Sequence, residues 1–324
     1  MNYRRYWFGV AVVCLTTLSA ASAYAQAGNY PDKPVTILSD SAPGSTPDVD
    51  ARFTADGLAK TWGQQVIVIN HPGANGSIAA RAATEATPDG YTLFMPALST
   101  FAALPSVAPN LPLRLPRDFI PIGYTEENPM FVAVNPSLGV STLPQLIALA
   151  KKEPGTISIA VTGVGRLTHL TGLVLQERAG IQLLPVPYTG GPAAALADVG
   201  SGRVSMIIEG YSGIVGSVKA GQVKLIAVAS RERLPQFPDL PTVSETIPDF
   251  TATGWQVLVA PLGTPQPIVD KVSVDLAKLM NDPEFKKKLA NVGSYPRAMT
   301  PAEVLAFVDK EQQTWLPVLA KISK

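Results

Sequence analysis

Short apolar runs alternate with amphipathic stretches along most of this chain. Early in the sequence, Val35–Leu38, Val66–Asn70 and Tyr91–Met95 have the apolar character of buried strands, and Pro, Gly, Ser or Asn follow each run. A helical pattern follows the first two runs. This order predicts βα units that form a parallel sheet.

A second series with the same alternation begins at Phe131–Asn135. Thr142 is a good N-cap for the helical pattern that follows it, and Trp255–Ala260 has the character of one more buried strand. From Pro265 to Lys321 the pattern is almost wholly helical. The strands predicted between these points are Ile157–Val161, Leu183–Val186, Val204–Glu209 and Lys224–Ala229.

A helical block after a late strand indicates that the chain returns to its first domain. The sequence therefore predicts two α/β domains, each a mostly parallel sheet flanked by helices. Residues 26–126 with 251–324 form the first domain, and residues 127–250 form the second. Two chain crossings, near Thr125–Pro129 and Asp249–Gly254, would join them as a hinge. Because ligands of such sheets bind beyond the carboxyl ends of strands, we expect the site in the cleft between the domains.

Residues 1–25 are typical of a signal peptide. Two arginines precede an apolar run from Trp7 to Ala21, and Ala23 and Ala25 are the small residues that signal peptidase requires. We expect export to the periplasm with cleavage after Ala25. A retained membrane anchor is disfavoured, because the run is shorter than the ~20 residues that span a bilayer. Cys14, the only cysteine, lies in this segment, so the exported chain would carry no thiol.

The charge balance narrows the class of protein. The chain has 26 basic and 25 acidic residues, and loss of Arg4 and Arg5 with the signal peptide leaves 24 against 25, a net charge of −1. This balance argues against nucleic acid as a partner, because nucleic-acid binding depends on an excess of basic residues.

Sequence motifs of catalysis and metal binding are missing. The sequence has no Gly-x-Ser-x-Gly elbow, Walker loop or complete dinucleotide fingerprint, and its two histidines lie far apart without clustered carboxylates. We therefore expect neither a cofactor nor a metal, and no enzymatic activity. An exported hydrolase would need a Ser–His dyad that includes His169 and forms only in the folded cleft.

Three glycine-containing turns lie between a predicted strand and a predicted helix. They are Asp40–Asp48, His71–Ser77 and Gly163–His169, and they fall in both predicted domains. Such a turn brings backbone N–H donors and the positive end of a helix dipole to one point, and this combination binds small anions without a metal. Together the turns predict an anion site in the cleft.

Seven segments occur in order over nearly all of the mature chain: YPDKPVTILSDSAPGSTPD, VIVINHPGANGSIAA, PDGYTLFM, THLTG, VPYTGG, FPDLPTVSE and APLGTP. They resemble the Bug-type solute receptors of tripartite tricarboxylate transporters. The resemblance implies a two-domain periplasmic binding protein (type II, Venus-flytrap-like) that is not an enzyme, closes on a small organic carboxylate and works with membrane permease subunits. We expect a monomer without stable membrane insertion. A sensor subunit that presents its ligand to a signalling protein would use the same pocket.

The resemblance also assigns roles to matching positions. Asp48 would be the N-cap of the first helix and would shape its turn. His169 would either orient the third turn or touch the ligand, and Glu209 lies where the family usually has Asp. The candidate ligand-binding positions that the resemblance assigns, besides those that depart from the family pattern below, are Gly44, Thr46, Ser77, Ser99 and Thr100 from the first domain, with Gly165, Thr168, His169, Tyr188 and Glu209 from the second.

Four positions depart from the family pattern and predict a more polar pocket. Asp40 and Ser41 replace a proline and an aromatic residue, and these side chains could meet an amine or a hydroxyl. Ser45 replaces a glycine, so its hydroxyl could donate to the ligand. Arg166 replaces a small hydroxyl residue; it could hold a second carboxylate in a bidentate fork, pair with Asp40 across the closed cleft, or lie solvated at the rim.

Overall fold

The computed structural model describes residues 29–102 and 114–322. The predicted signal peptide and its cleavage site lie outside these residues. The strands are β1 Val35–Ser39, β2 Val66–Asn70, β3 Thr92–Met95, β4 Phe119–Val134, β5 Ser158–Val161, β6 Leu184–Pro187, β7 Met206–Gly210, β8 Lys224–Val228, β9 Thr253–Pro261 and β10 Tyr295–Pro296. The helices are α1 Thr46–Trp62, α2 Ser77–Thr84, α3 Leu98–Ala102, α4 Leu143–Lys152, α5 Leu167–Ala179, α6 Pro192–Gly200, α7 Tyr211–Lys219, α8 Gln266–Asn281, α9 Pro283–Ala290 and α10 Pro301–Ile322.

The strands form two half-sheets that meet at the centre of the molecule. β1 pairs in parallel with β2 and β3, and β5 pairs in parallel with β6 and β7. The antiparallel strands β9 and β4 lie between these parallel sets, in the order β2-β1-β3-β9-β4-β7-β5-β6, and β8 and β10 also pair with β4. We call the half around β1 lobe 1 and the half around β5 lobe 2. The predicted two-domain α/β fold is confirmed, with antiparallel strands at its centre that make the sheet mixed.

One long strand, β4, is shared by both lobes. It has 16 residues. Its first part, through Pro129, pairs with β9, and from Met130 onward it pairs with β7 and β8. The predicted crossing at Thr125–Pro129 therefore lies inside a strand, and the predicted crossing at Asp249–Gly254 leads into β9. The domain boundaries at 126/127 and 250/251 stay a prediction.

Helices bury their apolar faces on each half of the sheet. In lobe 1, Leu58 of α1 and Leu276 of α8 are buried in one cluster with Ile37 of β1. In lobe 2, Ile214 of α7 is buried with Ile207 of β7. The C-terminal helices α8 and α10 pack against β4, and α9 packs against α1 and β10, so the end of the chain returns to lobe 1.

A group of buried polar side chains lies beside the shared strand. Asn128 Nδ2 and Ser294 Oγ both donate to Asp50 Oδ2, at 2.9 and 2.8 Å. Glu126 of β4 and Gln256 of β9 are opposite each other in the strand register, and both are fully buried. Neither side chain has a hydrogen-bond partner among the described residues. We call these five residues the buried hinge cluster.

Burial dominates the ionisation of the two acids in this cluster. It raises the pKa of Asp50 to about 7, although hydrogen bonds from Ser294 and Asn128 partly offset the effect. It also raises the pKa of Glu126 well above its usual range, and the nearby charge of Asp50 adds to that shift. In the folded protein these carboxyl groups therefore hold protons that they would lose in the unfolded chain.

We expect Glu126→Gln to be more stable than the wild type at about pH 8. The stabilisation that comes from a raised carboxyl pKa is fully present below the unfolded pKa of about 4.5 and is lost as the pH rises through the folded pKa, by up to about 1.4 kcal/mol per pH unit for each group. Glutamine has no proton to lose, so the free energy of unfolding should depend less on pH in the variant. Urea unfolding at about pH 5 and about pH 8 measures both effects.

The matched control is Glu284→Gln, which alters an exposed glutamate in the first turn of α9. This variant should keep the wild-type pH dependence. A Glu126→Gln protein with the wild-type slope of unfolding free energy against pH would contradict the prediction.

Candidate ligand-binding site

A cavity of about 410 Å³ lies between the two lobes. This volume falls in the lower part of the ~300–1,000 Å³ range typical of sites for small organic ligands. The turns that follow β1, β2 and β5 contribute to its wall, as do β4 and the start of β9. The residues that line it are Ser41, Ala42, Ser45, Thr46, Pro47, Pro72, Gly73, Ala74, Asn75, Gly76, Ala97, Leu98, Ser99, Asn128, Met130, Thr162, Gly163, Val164, Arg166, Leu167, Thr168, Thr189, Gly191, Pro192, Glu209, Gly254 and Trp255.

Four helices begin at this cavity, two from each lobe. The N-cap residues of α1, α2, α5 and α6 are Ser45, Gly76, Arg166 and Gly191, and all four line the wall. None of these residues has a side-chain capping hydrogen bond to its helix. The first turns of a helix carry N–H groups without helical partners and the positive end of the dipole. The cavity therefore brings together four positive helix ends of the kind that bind anions.

The turn after β1 is held by Asp48. Its Oδ2 accepts from the backbone N–H of Gly44 at 2.8 Å, and its Oδ1 accepts from Asn70 Nδ2 at 2.8 Å. The prediction that Asp48 is the N-cap of the first helix is wrong, because Ser45 occupies that position and Asp48 lies within the first turn. Asp48 fixes the shape of the turn, and Gly44 adopts the left-handed conformation there with φ +77°.

Arg166 reaches from lobe 2 to lobe 1. Its Nη1 lies 3.1 Å from Asp40 Oδ2 and donates to Ser99 Oγ at 2.7 Å, and its Nη2 donates to the carbonyl oxygen of Asp40 at 2.6 Å. Asp40 is fully buried and also accepts from Thr100 Oγ1 and Ser41 Oγ. The sequence left three roles open for Arg166. The observed geometry corresponds to one of them, the ion pair with Asp40 across the cleft. The pair engages both charges within the protein.

Backbone and small side chains make further contacts between the lobes. The N–H of Gly213 donates to Thr46 Oγ1 at 3.0 Å. A Cβ built on Gly210 would lie 2.5 Å from the same oxygen, and one built on Gly191 would lie 2.8 Å from the Cβ of Ala42. The lobes are therefore in close contact around the cavity, and glycines make that approach possible.

Glu209 is the acidic residue on the cavity wall. It is 3% exposed, and its carboxylate accepts from the N–H of Gly210 at 3.0 Å and from Thr162 Oγ1 at 3.1 Å. Burial raises the pKa of this carboxyl to about 7, while those hydrogen bonds and the charge of Arg166 partly offset the shift. Glu209 can therefore donate a proton to a hydrogen bond at slightly acidic pH and carries a negative charge at alkaline pH.

Seven of the candidate residues line the cavity, and seven do not. Asp40 and Thr100 lie behind the wall and bond to each other. Those on the wall are Ser41, Ser45, Thr46, Ser99, Arg166, Thr168 and Glu209, and those outside the lining are Asp40, Gly44, Ser77, Thr100, Gly165, His169 and Tyr188.

Hydrogen bonds explain the positions of two of these outer residues. His169 Nδ1 accepts from the N–H of Gly165 at 3.2 Å, so His169 orients the third turn, and burial lowers the pKa of its imidazole. The hydroxyl of Tyr188 donates to Asp198 Oδ2 at 2.6 Å, within lobe 2. These contacts engage the side chains away from the ligand space.

Sequence reasoning missed the wall residues that come from the central strands. Asn128 and Met130 of β4, with Gly254 and Trp255 of β9, line the cavity. The two predicted chain crossings could have indicated these residues, because they lie in or next to the crossings and segments that cross between lobes border the cleft. Trp255 is 2% exposed and donates from Nε1 to Glu311 Oε2 at 2.9 Å, which fixes the indole.

Within residues 29–102 and 114–322, no group of three or more His, Cys, Asp and Glu side chains is placed to hold a metal ion. No helix in this part of the chain is long and apolar enough to cross a membrane.

Two α/β lobes around a cavity of ligand size define the fold of a periplasmic binding protein. The chain belongs to the tripartite tricarboxylate transporter receptor family, TctC, because the model of that family matches residues 50–323. It is 30% identical over 322 residues to the protein BugT of Bordetella pertussis, and the match covers 98% of each chain. The resemblance to Bug-type receptors is confirmed.

Solved structures of similar proteins cover both lobes. An R. palustris protein solved with adipate has a TM-score of 0.85 and 28% identity and covers 89% of this chain and 97% of its own. The periplasmic binding protein BugD has a TM-score of 0.82 and 32% identity, with coverage of 90% and 98%. MatC from Rhodopseudomonas palustris with bound malate has a TM-score of 0.80 and 28% identity, with coverage of 90% and 100%.

Proposed function

We propose that this protein captures a small organic carboxylate in the cavity between its lobes and delivers it to the membrane permease subunits of a tripartite tricarboxylate transporter. The observation that carries the proposal is the meeting of four helix N-termini without side-chain caps at one cavity. Hydrogen bonds from backbone N–H groups to a carboxylate are charge-assisted and strong. The carboxylates adipate and malate are bound by similar proteins, which supports the same class of ligand here.

Membership of the TctC family supports further proposals about the location and activity of the protein. We propose that residues 1–25 direct export and are removed after Ala25, so that the mature protein acts as a monomer in the periplasm. We also propose that it has no enzymatic activity. The position of His169 supports this, because its Nδ1 is engaged by Gly165 and the residue does not line the cavity.

A thermal-shift screen tests the proposal. Each carboxylic acid in the panel is paired with its neutral amide, and a ligand at a hundredfold excess over its Kd should stabilise the protein by about 2.7 kcal/mol. At least one acid should stabilise the protein, while its amide should not. Absence of stabilisation by every acid, or equal stabilisation by acid and amide, would overturn the proposal.

A further inference from the structure

The charge of the cavity wall limits which carboxylates it can hold. Among the residues that line the cavity, Arg166 and Glu209 are the two with ionisable side chains. The other polar wall residues are hydroxyl and amide side chains, which donate hydrogen bonds but carry no charge. Apart from the partial positive charge of the helix N-termini, Arg166 is therefore the one group in the lining whose positive charge could neutralise a second anionic group.

Arg166 is already neutralised. Both of its terminal nitrogens donate to lobe 1, to the carboxylate and carbonyl of Asp40 and to the hydroxyl of Ser99. The guanidinium side chain is 20% exposed, and the Asp40 side chain is 0% exposed. A ligand carboxylate that recruited Arg166 would leave Asp40 as a buried and unpaired anion, which is strongly unfavourable. Glu209 is an acid, so it cannot supply a positive charge to compensate for a second carboxylate.

The rest of the wall suits an apolar ligand body. Leu98, Met130, Leu167 and Trp255 line the cavity. Transfer of apolar ligand surface from water onto such side chains is favourable in proportion to its area. In the same surroundings, a second carboxylate would lose its hydration without gaining a counter-charge.

We propose that this receptor selects monocarboxylates with an apolar body over dicarboxylates of the same length. The helix N-termini bind the single carboxylate, the apolar side chains contact the body, and the Arg166–Asp40 pair excludes a distal carboxylate. The inference rests on the proposed function of carboxylate capture and specifies its ligand class.

Matched acids that differ in one end group test the selectivity. Titration calorimetry would compare hexanoate with adipate, and 4-methylbenzoate with terephthalate. For each pair in which at least one acid binds, we expect the Kd of the monocarboxylate to be at least tenfold lower than that of the dicarboxylate. A smaller preference, or any pair in which the dicarboxylate is tighter, overturns the selectivity. If neither pair binds, the acids of the thermal-shift panel decide, each compared with the acid that differs from it in one end group. Monocarboxylate hits without matching dicarboxylate hits support the selectivity, and dicarboxylate hits without matching monocarboxylate hits overturn the selectivity alone. If no acid of the panel binds, carboxylate capture itself is contradicted.

A charge variant then tests the cause. Asp40→Asn leaves the charge of Arg166 without its partner, so the preference for hexanoate over adipate should fall at least tenfold. Asp56→Asn removes the same charge from an exposed position of α1 and should leave the preference unchanged. An unchanged preference in a folded Asp40→Asn protein overturns the role of the ion pair, and the wild-type titrations decide the selectivity even if this variant does not fold.

Discussion

Replacement of Gly210 by Ala is expected to weaken the binding of any ligand by roughly 5–150-fold, the effect of about 1–3 kcal/mol of overpacking. The added Cβ would lie 2.5 Å from Thr46 Oγ1 and 2.6 Å from Thr46 Cγ2, across the cleft. Thr46 is fully buried at the start of α1 and cannot move aside without displacing that helix. The closed arrangement of the lobes is thereby disfavoured.

The variant should keep the fold of each lobe. Gly210 has φ −66° and ψ 150°, a conformation that alanine adopts without strain. Titration calorimetry would give the loss of affinity, and small-angle scattering with ligand would give the degree of closure.

Gly216→Ala is the matched control, within the helix α7 that directly follows Gly210. A Cβ at this position meets nothing within 4 Å, so affinity should stay at the wild-type value. Wild-type affinity in Gly210→Ala, or an equal loss in both variants, would contradict a steric effect on closure.

Carboxylate affinity is also expected to fall as the pH rises through about 7, approaching tenfold per pH unit above that value. Burial raises the pKa of Glu209 to about 7, so this wall residue is neutral in slightly acidic solution and anionic in alkaline solution. A bound carboxylate favours the protonated form of Glu209, because two adjacent anions repel each other. Binding of the carboxylate is therefore coupled to protonation of Glu209, and affinity falls over the pH range in which Glu209 of the free protein loses its proton.

Other ionisable groups near Glu209 do not mask this effect. Burial lowers the pKa of the His169 imidazole, which favours its neutral form and so limits its contribution to the pH dependence. Titrations from about pH 6 to about pH 8.5, with a ligand whose own pKa lies below 5, measure the dependence. Glu209→Gln should bind with an affinity that changes little over this range. The interpretation fails if the wild-type affinity is constant or rises with pH, or if the variant keeps the wild-type dependence.

The alternation of apolar runs was sufficient to predict the outer strands and the two-domain fold. Val35–Leu38 and Val66–Asn70 coincide closely with β1 and β2, because β-branched apolar runs bounded by Gly and Pro give a strong local signal. β1 is buried as predicted, but the prediction that the second run is buried is wrong: β2 lies at the edge of the sheet, and its Ile67 and Ile69 are exposed. The shared strand β4 was predicted only from Phe131. Glu126, Asn128 and Pro129 interrupt its apolar pattern. Glu126 and Asn128 belong to the buried hinge cluster, and Asn128 also lines the cavity.

At the site, the sequence could predict the turns but not which side chains point into the cavity. Local residue types place a glycine turn before a helix, and the structure has these turns at the cavity wall. The partner of Tyr188 is Asp198, ten residues further along, and the partner of Arg166 is Asp40 in the other lobe. Such pairings depend on distances that only the folded chain defines. For this reason the sequence left three roles open for Arg166.

The continuity of β4 limits how new members of this family can arise by recombination. A chimera that took lobe 2 from another receptor would have to be joined inside a β-strand, and the splice would have to preserve its ladder with β9 on one side of the junction and with β7 and β8 on the other. Cuts in surface loops, the usual sites of tolerated domain exchange, are not sufficient here. The two lobes are therefore expected to diverge together as one inherited unit, with ligand preference changed by substitutions at the cavity and not by exchange of a whole lobe.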